Sequence, residues 1–103
     1  MELLGKLFGF SGTELSAEEL ENGTIIDVRT RSEFQRGHLT NCINIPLQEL
    51  DAAMDRFRNM SAPVILCCAT GNRSGMAARR LNSAGVKAIN AGGWRSLAKQ
   101  LEK

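Results

Sequence analysis

Residues 64–81 read VILCCATGNRSGMAARRL, and this stretch decides the fold. Val64–Cys67 is the most apolar run of its length in a strand context, as expected of a central strand buried on both faces. Ser74–Ala84 carries a helical pattern that Gly85 ends. CATGNRS (68–74) links the strand end to the helix start. Working outward, the same alternation recurs. TIIDV (24–28), CINI (42–45, closed by Pro46) and Val86–Asn90 read as further strands, and Thr13–Leu15 as a short edge strand. Ser16 with Glu19, and Thr30 with Glu33, form capping boxes that open helices ending at Gly23 and Gly37. Leu47, Leu50, Met54 and Phe57 recur at helical spacing. Gly92-Gly93 turns the chain into a last helix ending near Leu101. Strands alternating with helices predict an α/β domain over 13–103, with an open parallel sheet of about five strands flanked by helices on both faces.

The chain of 103 residues suits one domain, and 43% hydrophobic with 23% charged residues describes a globular protein. Its net charge of +2 conceals a split. Residues 1–55 carry ten acids against four bases, whereas residues 56–103 carry nine bases against Glu102 alone. Cys42, Cys67 and Cys68 are odd in number and fit no zinc spacing, so neither a disulfide framework nor a metal or other cofactor is expected. The segment 1–12 opens with MELLGKLFGF, too short for a membrane span of about 20 apolar residues. Glu2, Gly5 and Lys6 argue against a signal peptide. At helical spacing Leu3, Leu4, Leu7 and Phe8 share a face that packs on the domain, with a homodimer contact through residues 1–10 or a membrane-surface contact as the alternative. The expected location is a reducing cytoplasm with free thiols. The basic residues lack interleaved aromatics, which argues against nucleic-acid binding.

Sites in parallel sheets form at the carboxyl ends of strands, here Asp27–Arg31 and Cys68–Arg73. A cysteine at Cys68 meets a helix N-terminus and a ring of backbone N–H groups, both of which favour thiolate. Gly71 and Asn72 are residue types that tolerate positive φ, so the loop can curl its amides inward as an anion nest. Arg73 adds a permanent charge, and Ser74 reads as the helix cap.

With that loop in place, the chain resembles the rhodanese family of sulfurtransferases over roughly residues 13 to 101. IIDVRTRSEFQRGHLTNCINIP (25–46) is similar to the family's first signature, VILCCATGNRSGMAARRL (64–81) to its active-site loop and helix, and INAGGWRSL (89–97) to its closing Gly-Gly signature. The resemblance implies that Cys68 carries a persulfide. It takes sulfane sulfur from thiosulfate or a similar small anionic donor and passes it to cyanide or a thiol, either a small molecule or a thioredoxin-like protein. A covalent intermediate of this kind gives ping-pong kinetics. Amides from Ala69 through Thr70, Gly71 and Asn72 to Arg73 would stabilise the persulfide, while the Arg73 guanidinium attracts the donor's anionic end. Asp27, Arg29, Glu33 and His38 are implied to be mainly scaffolding, with Arg29 able to steer anions and His38 organising a turn.

Two alternatives stay open. A non-enzymatic rhodanese-like binding or sulfur-carrier module is one, although such modules often lack the cysteine. A Cys-dependent phosphatase or arsenate reductase is the other. Their loops place five residues between Cys and Arg, where this chain has Ala69, Thr70, Gly71 and Asn72. The chain also departs from the family pattern. Ala69 stands where Arg or Lys is common, Cys67 where an aromatic is common, and Cys42 where Ala is usual. Strand alternation turns Cys67 away from Cys68, so Cys67 and Cys42 read as packing residues rather than redox partners. Arg79 and Arg80 read as solvated surface, with a docking face second, and Trp94 as packing beneath the Gly-Gly turn.

Overall fold

The computed structural model describes residues 15–102. In chain order they form α1 (Ala17–Asn22), β1 (Thr24–Asp27), α2 (Arg31–Gln35), β2 (Ile43–Asn44), a 3₁₀ turn (Leu47–Glu49), α3 (Met54–Arg58), β3 (Val64–Cys68), α4 (Asn72–Ser83), β4 (Ala88–Gly93) and α5 (Trp94–Glu102). All strand pairs are parallel, in the order β2-β1-β3-β4. The sheet has four strands among the described residues rather than about five. Of the expected edge strand Thr13–Leu15 only Leu15 is described, and it carries no strand. The expected packing of the 1–10 segment also lies outside the described residues. No helix among the described residues is long and apolar enough to cross a membrane.

The five residues of β3 are all buried and their side chains alternate between two cores, as a period of two requires. Val64, Leu66 and Cys68 face Phe57 of α3 and Ala77, Ala78 and Leu81 of α4. Ile65 and Cys67 face Leu97 of α5, with Leu15 and Leu20 packed against them. Helices thus cover both faces. Cys67 and Cys68 point apart, and all three cysteines are free thiols.

Both capping boxes form, at Ser16–Glu19 and Thr30–Glu33. Three expectations are corrected. The helix expected from Leu47 to Phe57 is a 3₁₀ turn followed by the short α3, with Leu50, Ala53 and Phe57 the residues that bury. Helix α4 starts at Asn72, with Gly71 at its N-cap in a left-handed conformation (φ +104°). Ser74 therefore lies inside the first turn instead of capping it, and Asn72 is not the residue that needs positive φ. Gly92 and Gly93 belong to β4 and are not a turn after it. A bulge shifts the β3–β4 register so that Leu66 pairs with Asn90 but Cys67 with Gly92, and pairing continues to Cys68–Gly93.

Candidate active site

The bulge in β4 and the left-handed Gly71 together fold residues 68–74 into a tight cup around one atom, the Sγ of Cys68. The Gly71 N–H donates to it at 3.0 Å and the Ser74 N–H at 3.4 Å, while the Ser74 hydroxyl lies at 3.2 Å. Cys68 is only 1% exposed, and burial by itself pushes its thiol pKa up. Hydrogen bonds from the Ser74 hydroxyl and amide and from the Gly71 and Thr70 amides outweigh that cost, and the net shift is downward from the ordinary thiol value. Of the amides expected from Ala69 to Arg73, those of Thr70 and Gly71 serve the sulfur, joined by Ser74. Gly93 has to be glycine for the cup to close, since a Cβ there would lie 2.9 Å from the Ala69 carbonyl oxygen.

Ser74 is fully buried, and its hydroxyl has a second claimant. It donates to Asn90 Oδ1 at 2.7 Å. Asn90 also accepts the Gly92 N–H at 2.9 Å and donates through Nδ2 to the Gly71 carbonyl at 3.2 Å. This one side chain ties the middle and the far end of the cup to β4. Sequence reasoning missed it; the available signal was an amide side chain in a strand paired with a fully apolar one. A serine hydroxyl has one proton, so Oγ–H serves either Asn90 or the Cys68 sulfur at a given moment. A neutral Cys68 can donate S–H to the Ser74 oxygen while that hydroxyl donates to Asn90. A thiolate draws the Ser74 proton to itself.

The support residues form a chain of ion pairs. Asp27 is fully buried and Arg29 is 5% exposed. Arg29 Nε donates to both Asp27 oxygens at 3.0 Å, and Nη2 donates to Asp27 Oδ2 and the Gly37 carbonyl, each at 2.7 Å. Its Nη1 donates to the Glu33 carbonyl at 3.2 Å. Every nitrogen of this guanidinium is committed, so Arg29 is not free to steer anions; it pins α2 to the end of β1. Glu33 caps α2 and also accepts Arg73 at 2.7 and 3.0 Å. Arg73, and after it Thr30, hold the Glu33 carboxyl at about 2, well below its usual value. The Arg73 charge is thus already met by a carboxylate from the acidic half of the chain.

His38 is exposed, stacks on Phe34 at 3.7 Å and donates from Nδ1 to the Phe34 carbonyl at 2.7 Å. It holds the turn after α2 and is not among the partners of the Cys68 sulfur. Burial pushes the Cys67 thiol pKa far up and the Cys42 thiol up to about 11, which leaves both protonated near neutrality. Trp94 packs against the core that contains Leu39, Ile65, Cys67 and Leu97. Its ring edge reaches Gly37, and the guanidinium groups of Arg29 and Arg95 lie over it at 4.9 and 4.7 Å. Arg79 and Arg80 are exposed, and Arg80 pairs with Asp51 at 2.6 Å.

A buried thiol with a lowered pKa in a cup of N–H donors, at the end of the central strand of a parallel sheet, is suited to nucleophilic attack and to carrying a charged sulfur. Comparison with known proteins shows related sequences and folds. The chain is 38% identical over 79 residues to the Bacillus subtilis protein YqhL, covering 73% of this chain and 62% of YqhL. It is 32% identical over 69 residues to the putative sulfur carrier protein YrkF of the same organism, covering 67% of this chain and 37% of YrkF. It therefore spans less than two thirds of either relative. The solved human single-domain sulfurtransferase TSTD1 superposes with a TM-score of 0.63 at 26% identity, covering 86% of this chain and 95% of that one. The family profile described as Rhodanese-like domain matches residues 13–100, which takes in the cup, the Asp27–Arg29–Glu33 ion pairs and the Gly-Gly strand end, and the chain belongs to that family.

Proposed function

We propose that this protein is a sulfurtransferase that carries sulfane sulfur as a persulfide on Cys68. The observation that carries the reading is the set of N–H and O–H donors around Sγ, which stabilises an anion on that atom despite its burial. The Cys68 thiolate attacks the outer sulfur of thiosulfate or a similar donor. An S–S bond to Cys68 forms, the donor's S–S bond breaks, and its electron pair leaves with sulfite. The outer persulfide sulfur now holds the negative charge within reach of the Thr70, Gly71 and Ser74 donors. Cyanide or a thiolate then attacks that sulfur, forms a new S–C or S–S bond, and expels Cys68 as thiolate. No proton has to be removed from the nucleophile in either step, and no cofactor takes part.

Within this scheme Ala69, Asn72 and Arg73 shape the cup. Arg73 acts chiefly through Glu33, which fixes α4 against α2, and Asp27, Arg29 and His38 hold the surrounding turns. The same geometry disfavours phosphate or arsenate chemistry, since an oxyanion cradle needs the loop guanidinium facing the thiolate and Arg73 is held by Glu33. The names of the carrier-like relative and of the solved sulfurtransferase agree with sulfur as the cargo. The reduced protein incubated with thiosulfate is expected to gain one sulfur atom on the peptide containing Cys68, and Cys68→Ala to gain none. A wild type that takes sulfur from no donor overturns the proposal.

A further inference from the structure

Beside the cup lies a cleft of about 190 Å³ whose walls come from three separated segments. Glu33, Arg36 and Gly37 bring the end of α2, Ala69 brings the first residue after the nucleophile, and Trp94 and Arg95 bring the start of α5, with Arg29 also on the wall. The charges here do not cancel. Arg29 is neutralised by Asp27, and Glu33 by Arg73. Arg36 and Arg95 have no carboxylate within 4 Å among the described residues. Among the described residues Arg36 makes only a long side-chain hydrogen bond, from Nη1 to the Ser32 hydroxyl at 3.3 Å. Arg95 is steadied on the Trp94 ring, which is itself held by the fully committed Arg29. Ala69, which follows Cys68 in the chain, brings a methyl group and neither charge nor bulk to the cleft wall. Two guanidinium groups with no carboxylate partner among the described residues line one polar cleft, whose wall also includes the residue that follows the nucleophile.

We infer that this cleft is the anion subsite of the sulfur donor. Arg36 and Arg95 hold an oxyanion head group, sulfonate or carboxylate, while the donor's sulfane sulfur lies at Cys68. The inference rests on the sulfurtransferase reading of Cys68. It also assigns recognition to residues outside the 68–74 loop, one of them from the acidic half of the sequence. Guanidinium suits the task because its planar N–H fork pairs with two oxygens at once. Both side chains are exposed, so the subsite favours small donors that arrive from solution.

The test compares wild type with Arg36→Gln, Arg95→Gln and the double variant on three donors. Thiosulfate offers a sulfonate, glutathione persulfide offers carboxylates, and cysteamine persulfide has no anionic head group. Exposed ion pairs of this kind are worth up to roughly fivefold in affinity each. KM for an anionic donor is therefore expected to rise by up to about fivefold per substitution, with kcat little changed and cysteamine persulfide unaffected. Arg36→Lys and Arg95→Lys keep the charge without the fork and are expected to recover part of the loss, and Arg56→Gln, which removes a charge elsewhere, to have no effect. In parallel, the ratio of iodoacetate to iodoacetamide alkylation rates at Cys68 is expected to fall in the double variant. A rise confined to thiosulfate assigns the site to sulfonate, and one confined to glutathione persulfide assigns it to carboxylate. An equal rise for cysteamine persulfide, or no rise for either anionic donor, overturns the subsite. Failure of the wild type to load from every donor overturns instead the sulfurtransferase reading, and the alkylation ratio still reports the charge of the cleft.

Discussion

Ser74→Ala isolates one donor to the Cys68 sulfur, because the backbone N–H of residue 74 stays in place at 3.4 Å and only the hydroxyl at 3.2 Å is lost. A hydrogen bond to a charged group is worth about 1.5–3 kcal/mol. This one belongs at the bottom of that range, since the acceptor is sulfur and Asn90 Oδ1, at 2.7 Å, competes for the same proton. About 1.4 kcal/mol corresponds to one pKa unit. Losing a donor that favours the thiolate raises the Cys68 pKa, so Ser74→Ala is expected to titrate about one unit higher than wild type. At any pH below both values its thiolate fraction falls about tenfold. The stability cost is small, because Asn90 Oδ1 keeps the Gly92 N–H. The assay is the pH profile of iodoacetamide alkylation, read on the peptide containing Cys68. An unchanged midpoint refutes the reasoning: the Ser74 proton would then stay on Asn90 even opposite the thiolate, and the backbone amides alone would set the shift.

Glu33→Gln removes a carboxylate held at about 2 by Arg73 and Thr30, against 4.5 when free. Its folded pKa is depressed, so its stabilisation is present above pH 4.5 and is lost as pH falls toward 2; with screening of this partly exposed pair it amounts to about 1 kcal/mol. Urea unfolding at a series of pH values should show wild type and variant converging over that window, and a constant difference would contradict the assignment. Asp27→Ala leaves the Arg29 guanidinium buried without its counter-ion, at a cost of about 3–5 kcal/mol in urea unfolding; a loss near zero would show that Arg29 finds water instead. Gly93→Ala drives a Cβ to 2.9 Å from the Ala69 carbonyl and should slow sulfur loading of Cys68 by more than its melting temperature explains, whereas unchanged loading would mean that the cup gives way without consequence. Thiosulfate kcat/KM is expected to fall as salt rises, because the open charges of Arg36 and Arg95 are exposed to screening; a flat salt profile would count against charge attraction at the mouth.

The strands were legible wherever hydrophobic runs met turn residues, and the placement of Cys68 at the end of the central one followed from VILCC and the Gly-Asn step alone. Both capping boxes were legible for the same reason: their partners are three residues apart in sequence. What escaped depends on partners brought together by folding. Ser74 has the composition of a cap and serves instead as a sulfur ligand, because Gly71 takes the left-handed cap position three residues earlier. Gly92-Gly93 has the composition of a turn, yet the bulge at Leu66/Cys67 keeps both residues in the sheet. Asn90 and Glu33 act on the loop across 16 and 40 residues of chain, and no periodicity encodes those distances.

The same limit changes what the charge split means. Counted by halves of the sequence, Cys68 and Arg73 belong to a strongly positive block that would favour a thiolate. Counted by neighbours, the block dissolves. Arg73 is spent on Glu33 and Arg29 on Asp27, so the two arginines nearest in motif contribute position more than field. Neutral N–H and O–H dipoles at 3.0–3.4 Å do most to lower the Cys68 pKa. The unpaired positive charge lining the neighbouring cleft comes from Arg36 of the acidic half and Arg95 of the basic half. This division suits a two-step sulfur transfer. A thiolate stabilised by fixed dipoles is not quenched by a mobile cation and remains a good leaving group when the acceptor attacks. Cations set back in an adjoining cleft can draw in an anionic donor and release sulfite into solvent without holding the persulfide so tightly that transfer stalls.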